Sequence, residues 1–328
     1  MLVDSLIILA GVAVTIALAE LVINNAIEMA ERFRLSGTFI GMTVLSVGTS
    51  IPEVFTHVVG SATILRQPET FATISSLVIG ANIGSDIFQQ NFILPLIGLL
   101  GAILIKRQNL FSEIGALVWA SVLVWLFGLG GLISRLEGAL LLLAYVGYIL
   151  FLAKRDRVRD EAPPRSRGGP EHGTRRTVLA VAIIAISFAV MAVATEQVVV
   201  AATRLVENLP LSASFFGVIF LGVATALPEL TTSLVSIHKG EKNLSVGIVV
   251  GSNITNPLLG IGLGAVISTY AVPDVVVYYD LPVKIVTSFF IFYFLWTQEL
   301  LRRWESLVLI AMCLAYLVAR AHFFPSDF

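Results

Sequence analysis

The sequence contains few charged residues and a single cysteine. Asp, Glu, Lys and Arg make up 13% of its 328 residues, against roughly 25% in soluble domains. The net charge of −1 creates no strong field, so we expect no nucleic-acid partner. Cys313 alone cannot form an intramolecular disulfide, and no Cys or His cluster in the sequence suits a soft metal ion.

Apolar stretches occupy most of the chain. The hydrophobic fraction is 57% and the mean hydropathy is +0.91, and stretches of about 20 apolar residues recur along the whole length. The ten-residue alternation of a membrane β-barrel is absent, and a soluble protein with a very apolar core is disfavoured. We therefore predict an all-α integral membrane protein. Its ten transmembrane helices are predicted at 5–28, 38–65, 71–102, 110–129, 136–153, 177–206, 213–238, 243–270, 281–298 and 304–321.

The first apolar stretch has no basic region before it and no small-residue cleavage site after it. Those are the marks of a signal peptide. We expect this stretch to be retained as the first span.

One polar segment interrupts the apolar pattern near the middle of the chain. Residues 154–176 are rich in Arg, Pro and Gly, a composition typical of a solvated linker. We predict an N-terminal five-helix repeat (1–153), a linker (154–176) and a C-terminal five-helix repeat (177–328).

The distribution of Lys and Arg predicts the orientation of the chain. With ten spans, sixteen of the 21 Lys and Arg residues share the side of the linker, and five lie on the other side. The five include Lys284 and Arg320. Because Lys and Arg concentrate in cytoplasmic loops, we predict a cytoplasmic linker and extracytoplasmic termini in a multi-pass protein of the cell membrane.

Two similar segments recur at corresponding places in the two halves. GTSIPE at 48–53 has a counterpart in ATALPE at 224–229, and GANIGSDI at 80–87 has one in GIVVGSNI at 247–254. Each half has five spans, an odd number, so the second copy enters the membrane from the opposite side. The sequence therefore predicts two inverted five-helix repeats, an architecture typical of secondary transporters.

The repeated segments place carboxylates and hydroxyl groups inside apolar spans. An acid at membrane depth is costly and marks a functional site by default, and this pattern applies to both Glu53 and Glu229. Ca²⁺ requires six to eight oxygen ligands. Two carboxylates neutralise one divalent ion, and Thr49 and Thr225 offer further oxygens. Each proline before the acid frees a backbone carbonyl. We predict a cation site at the meeting point of the two repeats.

These motifs resemble the two alpha repeats of the Ca²⁺/cation antiporter superfamily, and most closely those of its sodium/calcium exchanger branch. The resemblance covers the whole chain. It implies that Glu53 and Glu229 bind both Ca²⁺ and Na⁺ and that Thr49 and Thr225 add oxygens. It also implies that Ser50, Ser85 and Ser252 serve flanking sodium sites. The backbone carbonyls of Ser46 and Gly222 are implied as main-chain oxygen ligands. It implies no cofactor, because the ions are cargo.

Several positions depart from the pattern of that family. Ala226 stands where the family commonly has Ser, and Gln89 and Asn256 stand where archaeal exchangers have Asn and Asp. Gln89 and Asn256 remain candidate pocket residues, with interhelical hydrogen bonding as the alternative role. His57, four residues after Glu53 on the same helix face, is interpreted as a packed polar residue in preference to a proton carrier. Further candidates beside the motifs are Asp86, expected to face water or a cavity, and Asn253.

The leading functional prediction is a cation antiporter that exchanges Ca²⁺ for Na⁺ by alternating access, acting as a monomer in the lipid bilayer. Ala226, Asn256 and His57 keep open a proton-coupled exchanger, or one for another divalent cation. A membrane-embedded lipid phosphatase would need Arg or Lys to bind phosphate, and none lies in 39–63, 73–98, 215–237 or 244–268. A passive channel is disfavoured because two carboxylates on one ion favour tight, occluded binding. We expect a transporter and not an enzyme.

Overall fold

The computed structural model describes residues 2–33, 35–101, 103–158, 174–206 and 213–324. Most of the proposed linker, 159–173, lies outside the described residues. The helices are α1 (Leu2–Phe33), α2 (Gly37–Ile40), α3 (Ser46–Thr49), α4 (Ile51–Arg66), α5 (Phe71–Phe88), α6 (Leu94–Gly101), α7 (Arg107–Leu110), α8 (Ala116–Gly128), α9 (Arg135–Val158), α10 (Thr174–Val206), α11 (Ala213–Phe216), α12 (Gly222–Thr225), α13 (Leu227–His238), α14 (Lys242–Thr255), α15 (Gly262–Ser268), α16 (Leu281–Gln298) and α17 (Arg303–Phe323).

Short π-helical turns interrupt or precede several of these helices. They are Gly41–Leu45, Gln89–Ile93, Phe111–Gly115, Gly217–Leu221, Asn256–Ile261 and Val276–Asp280, and Pro68–Thr70 forms a 3₁₀ turn. Four two-residue strands cap the bundle: β1 (Ile103–Leu104), β2 (Leu132–Ile133), β3 (Tyr270–Ala271) and β4 (Leu300–Leu301). π-helical turns inside helices are frequent at functional sites, and four of the six here lie within or beside the repeated motifs.

The prediction of an all-α membrane protein is confirmed. Among the described residues, nine helices are long and apolar enough to cross a membrane, and the pair Gly37–Thr49 and Ile51–Arg66, bent by 44°, provides a tenth span. Large apolar side chains point outward along the bundle, including Leu9 (67% exposed), Trp119 (66%) and Leu136 (72%). Such a surface is stable against lipid and unstable against water.

The order of elements is the same in the two halves, so the predicted inverted repeat is confirmed. A long first helix (α1, α10) is followed by a broken motif helix (α2–α4, α11–α13) and then by an uninterrupted one (α5, α14). The strand pairing is reciprocal as well: β1 of the first half pairs with β4, and β2 pairs with β3. These exchanged contacts are those that a pseudo-two-fold axis between the halves requires.

Glycines let the motif helices of the two halves touch backbone to backbone. A Cβ on Gly41 would lie 2.6 Å from the Leu244 carbonyl oxygen, and one on Gly80 would lie 2.8 Å from that of Ser214. The helix that follows one motif is thereby pressed against the motif helix of the other half. This close crossing brings the polar residues of both halves to a common centre.

The first helices of the two halves form a peripheral pair. α1 and α10 pack along each other and meet the rest of the bundle mainly through α13 and the motif helices. Their most apolar windows are only 35% and 28% buried. They therefore border the site-bearing bundle along one side and contribute little to its core.

Two of the basic residues assigned to the extracytoplasmic side lie elsewhere than expected. Lys284 and Arg320 are both 0% exposed, and they pair with Asp86 and Asp280 respectively. A charged group that is paired inside the bundle is not a loop residue, so neither supports the orientation. The expectation for these two residues is corrected accordingly.

Candidate functional site

Each motif helix breaks immediately before its Pro-Glu pair. Ser50 (φ −79°, ψ 5°) and Ala226 (φ −77°, ψ 1°) leave the helical conformation at equivalent positions. Proline follows at the second residue of the next helix and cannot donate a backbone hydrogen bond. Glu53 and Glu229 therefore occupy the first turns of α4 and α13, where the helix dipole favours a negative charge.

The two carboxylates are buried and receive hydroxyl groups from both halves. Glu53 is 3% exposed and Glu229 is 0% exposed, and they lie close enough to interact electrostatically. Ser85 Oγ donates to Glu53 Oε1 at 2.9 Å, and Ser50 Oγ donates to Glu229 Oε1 at 3.4 Å. The Ser50 contact joins the break of the first motif to the acid of the second.

The threonines of the motifs cross the pseudo-two-fold axis. The Thr225 hydroxyl lies near Glu53 and the Thr49 hydroxyl lies near Glu229, while each donates to a carbonyl of its own helix, Gly222 and Leu45 respectively. Thr49 Oγ1 also lies 3.3 Å from Ser252 Oγ. Each acid therefore faces the serine that follows its own motif and the threonine of the other repeat. The described structure brings together all seven predicted carboxylate and hydroxyl residues: Glu53, Glu229, Thr49, Thr225, Ser50, Ser85 and Ser252.

Several buried oxygens in this region have no hydrogen-bond donor within the described part of the chain. They are Glu53 Oε2, Glu229 Oε2, Asn82 Oδ1, Asn253 Oδ1 and Asn256 Oδ1. A buried acceptor without a donor costs about 1–3 kcal/mol, and a cation removes that cost for several acceptors at once. No group of three His, Cys, Asp or Glu side chains that could hold a metal is found among the described residues. The polar atoms around the two acids are instead carboxylate, hydroxyl and amide oxygens, the hard ligands that Ca²⁺ and Na⁺ prefer.

Gln89 and Asn253 form a chain of hydrogen bonds that ends at Ser85, next to Glu53. Gln89 Nε2 donates to Ser85 Oγ at 3.0 Å, while Asn253 Nδ2 donates to Gln89 Oε1 at 3.2 Å. The Gln89 amide therefore orients the serine hydroxyl toward Glu53 and uses both of its own polar atoms to do so. Gln89 lies at the pocket as expected, with its amide engaged by protein partners.

Asp86 differs most from its expected setting. It is 0% exposed and faces neither water nor a cavity. Asn256 Nδ2 donates to Asp86 Oδ1 at 3.0 Å, and the Lys284 ammonium pairs with Asp86 Oδ2. The expectation that Asp86 is accessible is wrong, because α16 supplies an internal cation that makes its full burial tolerable.

His57 is held by hydrogen bonds on both ring nitrogens. Asn82 Nδ2 donates to the Asn256 backbone carbonyl at 3.0 Å, which fixes the orientation of its amide, and it also lies 2.9 Å from His57 Nε2. His57 Nε2 is therefore an acceptor, and Nδ1 carries the proton toward the Tyr270 hydroxyl at 3.2 Å. This arrangement fits the interpretation of His57 as a packed polar residue.

The main-chain oxygens predicted for the site lie at the helix breaks. The Ser46 carbonyl accepts from Ser50 N at 3.0 Å and from Thr49 Oγ1 at 3.3 Å. The Gly222 carbonyl accepts from Ala226 N at 3.3 Å and from Thr225 Oγ1 at 3.4 Å. The contacts at Gly222 are the longer ones. Both carbonyls border the threonines whose hydroxyls lie near the acids.

Sequence reasoning missed Lys284, Tyr270 and the structural use of Asn82. Lys284 could have been found, because it is a lone cation inside an apolar stretch, and such a residue marks a site by default. Tyr270 gave no such signal. It reaches His57 across 213 residues, through a contact that only the folded chain reveals.

Two inverted repeats whose buried acids and hydroxyls converge at a broken helix pair define a membrane cation antiporter. The chain belongs to the sodium/calcium exchanger protein family, whose model matches residues 4–154 and 179–321. It is a transporter and not an enzyme, and its substrates are ions.

Several proteins of similar sequence, and solved structures of similar fold, match this chain over most of its length. Inner membrane protein YrbG of Escherichia coli is 28% identical over 91% of this chain and 90% of its own length. Putative antiporter CaxA of Alkalimonas amylolytica is 28% identical over 82% of each chain. A structure of the sodium-calcium exchanger NCX_Mj, soaked with Na⁺ and Sr²⁺, superimposes with a TM-score of 0.77 at 21% identity, covering 98% of both chains. At that identity the likeness establishes the fold.

Proposed function

We propose that this protein exchanges Ca²⁺ for Na⁺ across the membrane and holds one Ca²⁺ between Glu53 and Glu229. The observation that carries the proposal is the convergence of two buried acids and of hydroxyls from both repeats on one site. Each acid keeps one carboxylate oxygen without a donor in the described chain. Two negative charges and surrounding hard oxygens match the demand of a divalent cation.

The remaining ligands follow from the same geometry. Thr49, Thr225, Ser85 and Ser252 are proposed to offer hydroxyl oxygens to the bound ions, together with the carbonyls of Ser46 and Gly222. Ser50 is proposed to serve a sodium site, since its hydroxyl reaches Glu229 at 3.4 Å. Asn253 and Asn256 each have a side-chain oxygen without a donor among the described residues. We assign Gln89 to orienting Ser85, and His57 and Asp86 to the surrounding network.

Sodium as the coupling ion has two supports. The family is described as sodium/calcium exchangers, and the solved structure of similar fold belongs to a sodium-calcium exchanger. Na⁺ prefers the same hard oxygens as Ca²⁺, so the two ions compete for overlapping ligands, and such competition couples their movement. A proton-coupled exchanger would use the same carboxylates.

We further propose that alternating access moves α1 and α10 against the site-bearing bundle. Both helices are long, and they contribute little to the core. One chain supplies every residue of the pocket, which supports transport by a monomer. The unequal distribution of Lys and Arg supports a cytoplasmic 154–176 linker and extracytoplasmic termini. The repeated order of helices supports the domain limits 1–153, 154–176 and 177–328.

The test is ⁴⁵Ca²⁺ uptake into proteoliposomes loaded either with Na⁺ or with acid buffer. Uptake should follow an outward Na⁺ gradient and should be unaffected by a pH gradient of equal size. Uptake that follows the pH gradient and ignores Na⁺ would refute sodium coupling and favour the proton-coupled exchanger. Mg²⁺ and Mn²⁺, offered as competitors in the same assay, define the divalent selectivity.

A further inference from the structure

A chain of four buried polar side chains begins one helical turn after Glu53. His57 and Ser61 lie on α4, Asn82 lies on α5 and Tyr270 lies on β3. Each of the four is at most 1% exposed. They surround the candidate pocket, and none of them is a proposed ion ligand.

Hydrogen bonds join these four side chains without a gap. Asn82 Nδ2 donates to His57 Nε2 at 2.9 Å, and His57 Nδ1 donates to the Tyr270 hydroxyl at 3.2 Å. The Tyr270 hydroxyl lies 2.7 Å from Ser61 Oγ and 3.0 Å from the His57 carbonyl, so its proton is directed to α4 in either case. Ser61 Oγ donates in turn to the Gly264 carbonyl at 2.9 Å.

Both ends of the chain are attached to main-chain carbonyls of one transmembrane segment. Asn82 Nδ2 donates to the Asn256 carbonyl at 3.0 Å, and Ser61 holds the Gly264 carbonyl at the other end. The π-helical turn that begins at Asn256 lies between these two carbonyls, and its Pro257 cannot donate a backbone hydrogen bond. The chain therefore ties the irregular part of this segment to α4 and α5. We call Asn82, His57, Tyr270 and Ser61 the polar clamp.

Two glycines provide the space that the clamp occupies. A Cβ on Gly260 would lie 2.9 Å from His57 Cδ2, and a Cβ on Gly264 would collide with the Tyr270 hydroxyl. Glycine is unfavourable inside a helix. Its presence at both contact points shows that this segment is shaped to receive the two rings.

The second repeat carries mostly apolar residues at the corresponding positions. In the order Asn82, His57, Tyr270 and Ser61, the corresponding residues are Val249, Ser233, Ile103 and Ile237. Ile93 and Ile97 stand in the first repeat where the segment after Asn256 has its two glycines. The repeat can thus be built with apolar contacts at these places, so the fold alone does not require the clamp.

The clamp fixes the position of Asn256 relative to Glu53. The Asn256 carbonyl is held by Asn82, and its amide nitrogen donates to Asp86 Oδ1 at 3.0 Å. The Asn256 side-chain oxygen is left without a donor among the described residues. Ca²⁺ binds oxygen at about 2.3–2.6 Å and Mg²⁺ at about 2.0–2.1 Å, and cavity size and flexibility decide between such ions. A pocket whose helices are tied at a fixed spacing cannot contract around a smaller ion.

We propose that the polar clamp sets the width of the cation pocket and thereby selects Ca²⁺ over smaller divalent ions. Tyr270 is the positioning residue that joins the two ends of the clamp, and it touches no transported ion. The inference rests on the proposed function for the site at Glu53 and goes beyond it by assigning size selection to residues outside the pocket.

The test is equilibrium binding of ⁴⁵Ca²⁺ to the purified full-length protein with Mn²⁺ as competitor. Mn²⁺ is smaller than Ca²⁺ and takes the same oxygen ligands. Tyr270→Phe keeps the ring and loses the hydroxyl, so the ratio of the Mn²⁺ Kd to the Ca²⁺ Kd should fall about tenfold, equivalent to about 1.4 kcal/mol. Ser61→Ala should lower the ratio similarly. The double variant should lower it no further, because both changes break the same link.

Tyr316→Phe is the matched control. Tyr316 is also a buried tyrosine, and its hydroxyl donates to Asp280 Oδ1 at 2.9 Å, away from the clamp. The same atom is lost, and the binding ratio should stay at the wild-type value. A merely structural role for Tyr270 would lower the melting temperature and leave the ratio unchanged.

The outcomes separate this inference from the proposed function. A lower ratio in Tyr270→Phe, without Na⁺-driven Ca²⁺ exchange by wild type, would support the clamp and refute the proposed function. An unchanged ratio in folded Tyr270→Phe, an equal fall in Tyr316→Phe, or tighter binding of Mn²⁺ than of Ca²⁺ by wild type would each overturn the clamp. Absence of Ca²⁺ binding in wild type would overturn both. If Tyr270→Phe does not fold, the ratio measured for Ser61→Ala decides the question.

Discussion

Each acid of the candidate site depends on residues from both halves of the chain. Glu53 meets Ser85 of its own half and Thr225 of the other, and Glu229 meets Ser50 and Thr49 across the axis. These hydroxyls stabilise a buried carboxylate and leave its second oxygen available. The candidate site is therefore built jointly by the two halves of the chain.

Glu53→Gln and Glu229→Gln should each abolish divalent transport. Glutamine keeps the side-chain volume but removes one of the two charges that face the ion. A loss of about 3 kcal/mol in binding corresponds to about a hundredfold weaker affinity. Equilibrium ⁴⁵Ca²⁺ binding to the purified variants measures it. Glu113→Gln serves as the control, since Glu113 is a buried acid that pairs with Arg155 away from the pocket. Wild-type affinity in either pocket variant would contradict the assignment.

The residues of the pocket could be named from the sequence, but their partners could not. The two T-x-P-E segments indicated the acids and threonines because an acid in an apolar span is too costly to persist without a partner or a bound ion. The exchange of partners across the axis depends on the crossing of helices that lie far apart in the chain, which no local pattern encodes. For the same reason Asp86 was misjudged: its cation lies 198 residues away.

The first broken helix is packed closely from outside at the break that precedes Glu53. Gly48, at the end of the first motif helix, lies against the ring of Phe188 on α10, and a Cβ at this position would collide with that ring. This contact joins the peripheral helix pair to the break that orients Glu53. The break was predictable from proline, whereas the role of Phe188 required the structure.

Gly48→Ala should lower the transport rate by more than it lowers divalent affinity. The added methyl group displaces Phe188 and disturbs the contact between α10 and the motif helix, while the ligands stay in place. Phe188→Ala in the same chain should restore most of the rate, because it creates the missing space. Uptake kinetics of the single and double variants provide the test, with Gly147→Ala as the control, since a Cβ at Gly147 meets nothing within 4 Å. Equal defects in the single and double variants would argue against this contact.

The whole molecule consists of a bundle with a pseudo-two-fold axis between its halves, flanked by the α1–α10 pair. The ten spans and the inverted repeat were predictable because apolar length and an odd number of spans per half determine them. The packing of the peripheral pair was not, since its helices are apolar on most faces. If alternating access requires this pair to move against the bundle, restraining that movement should block transport.

Linking α1 to the bundle should stop transport. Glu20 on α1 lies 3.3 Å from Lys239 at the end of α13, so cysteines at these two positions can be joined by a short bismaleimide in a chain with Cys313→Ser. Transport should fall to background after cross-linking and should persist in the untreated double-cysteine chain. A disulfide between Leu104→Cys and Leu300→Cys, paired positions of β1 and β4, is the control within the bundle and should preserve transport. Full activity of the α1–α13 cross-linked protein would exclude this movement.

The most direct test of the central claim is the location of a divalent cation by anomalous diffraction from crystals of this protein soaked in Sr²⁺. The geometry predicts one strong peak between Glu53 and Glu229, about 2.3–2.6 Å from oxygens of both carboxylates, and its loss in Glu229→Gln crystals. A peak bound by only one of the two acids, or a peak elsewhere in the bundle with this position empty, would contradict a shared divalent site.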